Sequence, residues 1–160
     1  MRRRLREFDQ SSSRPCANLA AWLLARPSLR TIAVYSPLPG EVDLTAAIRQ
    51  RPDLAWVYPK INGHHLTFHR AETWTTGEFG ILEPADASPE VPLGEIDAFI
   101  CPGLAFDQNG GRLGRGRGFY DRVLANARPG ALKIGICFDL QIVPDTFPEP
   151  HDIHMDAVIF

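Results

Sequence analysis

No run of apolar residues in this 160-residue chain is long enough to span a bilayer, so a transmembrane segment is excluded at the outset. Cysteine is scarce: Cys16, Cys101 and Cys137 are odd in number, far apart and form no Cys-x-x-Cys pair. That pattern excludes a disulfide framework and the common zinc spacings, and the expectation is buried thiols in a reducing, cytoplasmic setting. Charge of one sign is lacking too, since the formal net charge is −2, which argues against a dedicated nucleic-acid surface. Two familiar phosphate motifs are also missing, because no Gly-Lys-Ser/Thr closes a P-loop and no Gly-x-Gly-x-x-Gly opens a dinucleotide fold. Hydrophobic residues at 44% and charged residues at 22% leave one ordinary globular domain over 1–160, large enough to bury its own core.

What the chain does have is a concentrated stretch from Pro102 to Leu124. Gly114, Gly116 and Gly118 alternate with Arg115 and Arg117, a pattern that lets the backbone take left-handed turns while guanidinium groups project between the glycines. From Gly110 to Arg122 four arginines against Asp121 give a local charge of +3 in an otherwise slightly acidic chain. Phe119, Val123 and Leu124 fall at helical spacing, so the loop is expected to run into a helix whose first turn carries Asp121. Such a loop at a helix start is a cradle for a polyanion; a merely flexible glycine-arginine turn is the bland alternative.

The remaining chain reads as strands alternating with helices. Leu19, Trp22 and Leu23 mark an amphipathic helix, separated from the basic Met1 to Arg6 stretch by polar residues, which argues against a signal peptide. Thr31 to Tyr35 is β-branched and aromatic, a central strand whose exit, Ser36-Pro37-Leu38-Pro39-Gly40-Glu41-Val42-Asp43, delivers Glu41 to a sheet edge. Asp43 is expected to cap a helix from Leu44 to Gln50. Trp56 to Ile61 and His65 to His69 flank Asn62-Gly63, a hairpin signal, and His64, His65 and His69 are read as residues of its solvated tip. Ile96 to Cys101 is a buried strand feeding the glycine loop, so the Glu41 loop and the glycine loop are expected on one edge of one sheet. A helix over Phe119 to Asn126, a strand over Lys133 to Phe138 and a terminal strand over Ala157 to Phe160 complete an α/β domain of three layers, with a mainly parallel central sheet and an inserted β-hairpin. Between the last two strands, His151-Asp152-Ile153-His154-Met155-Asp156 has metal-ligand spacing, but no further ligand is evident for zinc.

Pro-Gly-Leu-Ala-Phe-Asp (102–107) followed by Arg-Leu-Gly-x-Gly-x-Gly-Phe-Tyr-Asp-Arg (112–122) closely resembles the signature of the 5-formyltetrahydrofolate cyclo-ligase family. The Pro-Gly-Glu-Val-Asp setting of Glu41 and the Gly-Ile-x-Glu-Pro segment at 80–84 are similar to the family's as well. The resemblance implies a fold related to sugar-phosphate isomerases and CoA transferases, and ATP- and Mg2+-dependent closure of 5-formyltetrahydrofolate to 5,10-methenyltetrahydrofolate. It implies ATP contacts from Arg112, Leu113, Gly114, Arg115, Gly116, Arg117, Gly118, Phe119 and Tyr120, with Arg115, Arg117 and Tyr120 nearest the chemistry. Folate contacts would come from Glu41 and from Arg115 to Phe119, and magnesium would lie between Asp121 and Asp152, a pair of hard carboxylates better suited to it than imidazole. Family members also begin with a Lys and an Arg on a basic helix, positions that would precede Met1, so the helical region over 1–30 is expected to be shortened. The expected substrate is 5-formyltetrahydrofolate, with or without a polyglutamate tail, and the expected state is a monomer without nucleic-acid or membrane partners. A non-catalytic folate or nucleotide binder and a sugar-phosphate isomerase or CoA-transferase-like enzyme are the competing readings.

Overall fold

The computed structural model of the chain describes residues 11–160; the basic arm Arg2 to Arg6 lies outside them. Helix α1 (Ser13–Leu24) buries Cys16, Leu19, Ala20 and Leu23, the three- and four-residue spacing of an amphipathic helix. Strand β1 (Thr31–Ala33) follows, and its exit loop leads to the short helix α2 (Thr45–Gln50). Strands β2 (Ala55–Asn62) and β3 (His65–His69) form the hairpin, β4 (Trp74–Thr76) and β5 (Leu82–Pro84) a separate ribbon, and β6 (Glu90–Val91) pairs back onto β3. Buried β7 (Ala98–Cys101) leads to the β8 (Ala105–Phe106) and β9 (Arg112–Leu113) pair, then α3 (Phe119–Ala125), β10 (Leu132–Ile136) and β11 (Ala157–Ile159).

The seven-stranded sheet has the order β11-β10-β7-β1-β2-β3-β6. Every pairing from β11 to β2 is parallel, and the β2-β3 and β3-β6 pairings are antiparallel. Successive strand residues enter opposite cores, as the period of two requires. Ile32, Val34, Ile100, Ile134 and Ile136 pack with Leu19 and Leu23 of α1 and Ala47 of α2, whereas Ala33, Phe99 and Cys101 pack with Val123 and Leu124 of α3. Helices therefore cover both faces of the parallel half, the three-layer arrangement that the alternating pattern predicts.

Local boundaries differ from expectation at three points. Asn62 pairs with His65, so the two-residue hairpin turn is Gly63-His64 rather than Asn62-Gly63; Gly63, at φ 60°, supplies the left-handed residue. Asp43 does cap α2, but from one residue before the assigned cap Leu44, with Oδ1 accepting the Thr45 N–H and hydroxyl at 2.9 and 2.6 Å. His69 is not part of a solvated tip. It is 8% exposed, with Nε2 2.9 Å from Thr67 Oγ1 and Nδ1 donating to the Ser88 carbonyl at 2.9 Å. All three cysteines are buried free thiols, and burial pushes Cys101 and Cys137 up to about 12. Among the described residues no helix is long and apolar enough to cross a membrane.

Candidate active site

Strands β1 and β7 are parallel neighbours, so the loops leaving their carboxyl ends lie side by side. Between them opens a cavity of about 740 Å³, within the range of small-molecule sites, reached by Glu41 from the first loop and by Arg112 through Asp121 from the second. The hairpin and the β4-β5 ribbon close the far side: Pro59, Ile61, Leu66 and Ile81 supply an apolar wall. Arg122 Nε, on α3, donates to the His64 carbonyl at 3.0 Å, and Ser36 Oγ to the Leu82 carbonyl at 2.7 Å, so α3 and the β1 exit loop are each tied to the opposite wall.

Within the glycine loop, Gly116 (φ 86°) and Gly118 (φ 63°) take the left-handed conformation, whereas Gly114 does not. Gly118 is also the residue from which α3 departs, so a side chain there would strain the entry into the helix. Arg112 is the most enclosed of the loop's cations, with a side chain 4% exposed. Its Nη2 donates to Asp121 Oδ1 at 3.0 Å, while Nε is buried without a partner. Tyr120 is in the same condition: its hydroxyl is buried and unpaired. Burial pushes that phenol well above its ordinary range, so it remains a neutral O–H donor. Both residues line the cavity, and an unpaired buried donor is costly until an acceptor reaches it, as an oxygen of an anionic ligand could.

Arg115 reaches across the cavity to Glu41, with Nε and Nη2 at 3.0 and 2.9 Å from Oε1. Glu41 Oε2 accepts the Leu38 N–H at 2.9 Å, so both carboxylate oxygens are engaged. Burial nevertheless raises the Glu41 carboxyl above its ordinary value, and the Leu38 N–H and the Arg115 cation only partly oppose it. The pair links residues 74 apart in sequence, a contact that no local pattern announces.

Asp121 occupies the first turn of α3, and its Oδ1 also accepts the Ile153 N–H at 3.4 Å. Because Ile153 follows Asp152, that contact brings the two aspartates to the same floor of the cavity, which both line. Asp152 Oδ2 accepts the Glu149 N–H at 2.7 Å. The histidines of this segment take other roles. His151 is 73% exposed beside Glu149 and Asp152, and His154 Nδ1 donates to the Asn109 carbonyl at 3.1 Å. Asp156 Oδ2 accepts the Lys133 N–H at 2.7 Å and holds the terminal strand. Among the described residues no cluster of three or more metal-ligating side chains forms. Two carboxylates at the glycine-loop end of the cavity, Asp121 and Asp152, suit magnesium, a hard ion that takes one or two carboxylates and fills its remaining positions with other oxygens.

Sequence reasoning passed over Thr146 and Phe147, which line the cavity, and over Asp107, which holds them from behind it. Asp107 is 3% exposed; Oδ1 accepts the Asn109 and Gly111 N–H groups, and Oδ2 accepts the Thr146 N–H and hydroxyl at 3.0 and 2.6 Å. Burial alone would raise its pKa, but these donors outweigh it and hold the carboxyl below its ordinary value. The clamp fixes the segment that carries Phe147, an 82% exposed residue at φ 52° on the cavity rim. Asp-x-Asn-Gly at 107–110 is a turn signal that the sequence analysis left unused; nothing in the sequence points to Thr146 as its partner.

The model of the 5-formyltetrahydrofolate cyclo-ligase family matches residues 8–160. The chain belongs to that family. The cyclo-ligase of Mycoplasma pneumoniae is 32% identical over 145 residues, covering 88% of this chain and 79% of that protein. The cyclo-ligase of Mycolicibacterium smegmatis is 40% identical over 92 residues, covering 57% of this chain and 47% of that one. A solved 5,10-methenyltetrahydrofolate synthetase from Mycoplasma pneumoniae superposes with a TM-score of 0.83 at 25% identity, over 98% of this chain and 92% of its own. As a cyclo-ligase family member this chain is an α/β enzyme of folate one-carbon metabolism, as its sequence signature implies.

Proposed function

We propose that the chain uses MgATP to close 5-formyltetrahydrofolate to 5,10-methenyltetrahydrofolate in the cavity between the β1 and β7 loops. The observation that carries this reading is the cavity's division into a cationic glycine-loop end with orphaned donors and an apolar hairpin end. In the overall reaction the formyl oxygen takes the terminal phosphoryl group and ADP leaves. N10 then bonds to the formyl carbon and gives up its proton as the carbon's C–O bond breaks, and the oxygen departs within inorganic phosphate, which takes up the proton.

The protein's part is to position and to stabilise charge. Gly114 to Gly118 bring backbone N–H groups close to the triphosphate, with Leu113, Phe119 and Tyr120 flanking it. Arg112 offers its unpaired Nε, and the Tyr120 hydroxyl donates to an oxygen that gains charge during transfer. Arg115 and Arg117 complete the cationic side, Arg115 by turning from Glu41 toward phosphate as the nucleotide enters. Glu41, released in that exchange, is left to accept an N–H of the folate, whose body also contacts 115–119. Asp121 and Asp152 would hold Mg2+, which neutralises charge on the phosphates when bound.

Absorbance of the methenyl product, followed with and without MgATP, tests the reaction directly. Product that forms only with MgATP supports it. Turnover of a sugar phosphate or CoA ester without ATP, or folate binding with no turnover, would replace it with one of the competing readings. Sedimentation of the chain alone and with a polyglutamylated substrate tests the expected monomer and its tail tolerance.

A further inference from the structure

We infer that Glu83 recognises the folate ring itself, its carboxylate accepting the two adjacent N–H donors of the 2-amino-4-oxopyrimidine edge. The inference rests on the folate reading above and assigns a specificity residue within it. Glu83 lies on β5 and is 6% exposed, yet its neighbour Leu82 is 56% exposed. Alternation along a strand places one of the two inward, and a strand selected for packing alone would turn the leucine in and the glutamate out. The inverted order places a carboxylate on the cavity wall instead.

That carboxylate is poorly served by the protein. Its only hydrogen bond among the described residues is the Ile61 N–H, at a long 3.4 Å to Oε1. Lys60, on the adjoining strand, gives its ammonium to the Pro84 carbonyl at 3.0 Å and to Asp86 at 2.5 Å. No ion pair to Glu83 forms among the described residues, in contrast to Glu41, whose two oxygens are both engaged. A carboxylate on the cavity wall with one long hydrogen bond keeps most of its acceptor sites for a ligand with N–H donors.

The fold also keeps room for this group. A Cβ on Gly77 would stand 2.2 Å from Glu83 Cδ and 2.4 Å from Oε2, so no other residue at 77 leaves the carboxylate in place. Around it, Pro59, Ile61, Leu66 and Ile81 line the cavity with apolar surface. An apolar slot with one carboxylate suits a flat heteroaromatic ring bearing paired N–H donors, and it suits a triphosphate badly.

The test compares equilibrium binding of 5-formyltetrahydrofolate and of its 2-deamino analogue to the full chain, together with the Michaelis constant for ATP. Glu83→Ala should weaken binding of the natural substrate roughly ten- to a hundredfold and leave the ATP constant unchanged. The wild type should discriminate against the analogue by a similar factor, and Glu83→Ala should bind both alike. Glu83→Gln, which keeps the size and one acceptor, should fall between and serves as the readout if the alanine variant does not fold. Unchanged folate binding in either folded variant overturns the assignment, and so does equal weakening of both ligands, which marks a structural role. Absence of any turnover by the wild type would instead overturn the cyclo-ligase reading on which the assignment stands.

Discussion

The two walls of the cavity are built on different principles. The wall from the β1 and β7 loops hangs from parallel strands buried on both faces, and its polar groups reach one another over long sequence separations, as Arg115 does with Glu41 and Thr146 with Asp107. The wall from β2, β3 and the β4-β5 ribbon is antiparallel and largely local, with apolar side chains facing the cavity and a single sparsely bonded carboxylate. The first arrangement holds charges that the protein itself neutralises, Arg112 with Asp121 and Arg115 with Glu41. The second offers surface and shape. The proposed transfer of a phosphoryl group from ATP to a formylated heterocycle would use both, and changes to each wall should separate nucleotide effects from folate effects.

The largest effect is expected at the floor of the charged wall. Asp121→Asn should lower activity by about a hundredfold to a thousandfold and raise the magnesium requirement. It should also lower thermal stability, because Arg112, buried beside it, loses its carboxylate. Asp152→Asn should raise the magnesium requirement with little change in melting temperature, since its carboxylate is engaged chiefly by the Glu149 N–H. The double variant should lose less activity than the product of the singles, because both act on one ion. Magnesium titrations of kcat/KM and melting curves on the same samples check all of this; additive losses would separate the two aspartates.

Next come the cations of the same wall. Arg115→Ala and Arg117→Ala should each raise the Michaelis constant for ATP roughly ten- to a hundredfold, the worth of a charge-assisted phosphate contact. Normal ATP kinetics in both variants would remove the glycine loop from nucleotide binding. The apolar wall should answer differently. Ile61→Ala removes apolar contact from the slot and should weaken folate binding by up to about tenfold while leaving ATP alone. A loss shared equally by both substrates would erase the proposed division of the cavity.

How much of this was legible beforehand follows the same division. Thr31 to Tyr35 and Ile96 to Cys101 read as central strands because strands buried on both faces need continuous apolar runs, and Asn-Gly announced the hairpin. The glycine-arginine loop was legible because its conformational needs are written in its own residues. Asp107, Glu83 and Phe147 were not: Asp107 gains its role from Thr146, 39 residues away, and Glu83 and Phe147 gain theirs from the cavity that they line rather than from their neighbours in sequence. The turn at Gly63-His64 was misplaced by one residue because both registers satisfy the alternation signal over so short a hairpin, and cross-strand pairing decides between them.

The smallest expected effect concerns Glu41, and its sign is informative. Burial raises its carboxyl above the ordinary glutamate value of 4.5, so the folded chain binds this proton more tightly than the unfolded chain does. The contribution to stability is then full below the ordinary value and is lost as pH rises through the folded value, which makes the ionised Glu41 a net burden on the fold at neutral pH. The Arg115 guanidinium and the Leu38 N–H keep that burden small. Glu41→Gln should therefore hold or slightly raise stability at neutral pH and remove the downward slope above the ordinary carboxylate range. Arg115→Ala should steepen the slope, because an opposing cation is gone. Since Arg115 is proposed to leave Glu41 for the phosphates, bound nucleotide should likewise draw a proton onto Glu41 from below neutrality. Proton uptake on nucleotide binding, measured in buffers of differing ionisation enthalpy, should be present in the wild type and absent in Glu41→Gln. Identical uptake in the two proteins would show that the Glu41 and Arg115 pair stays closed when the nucleotide binds.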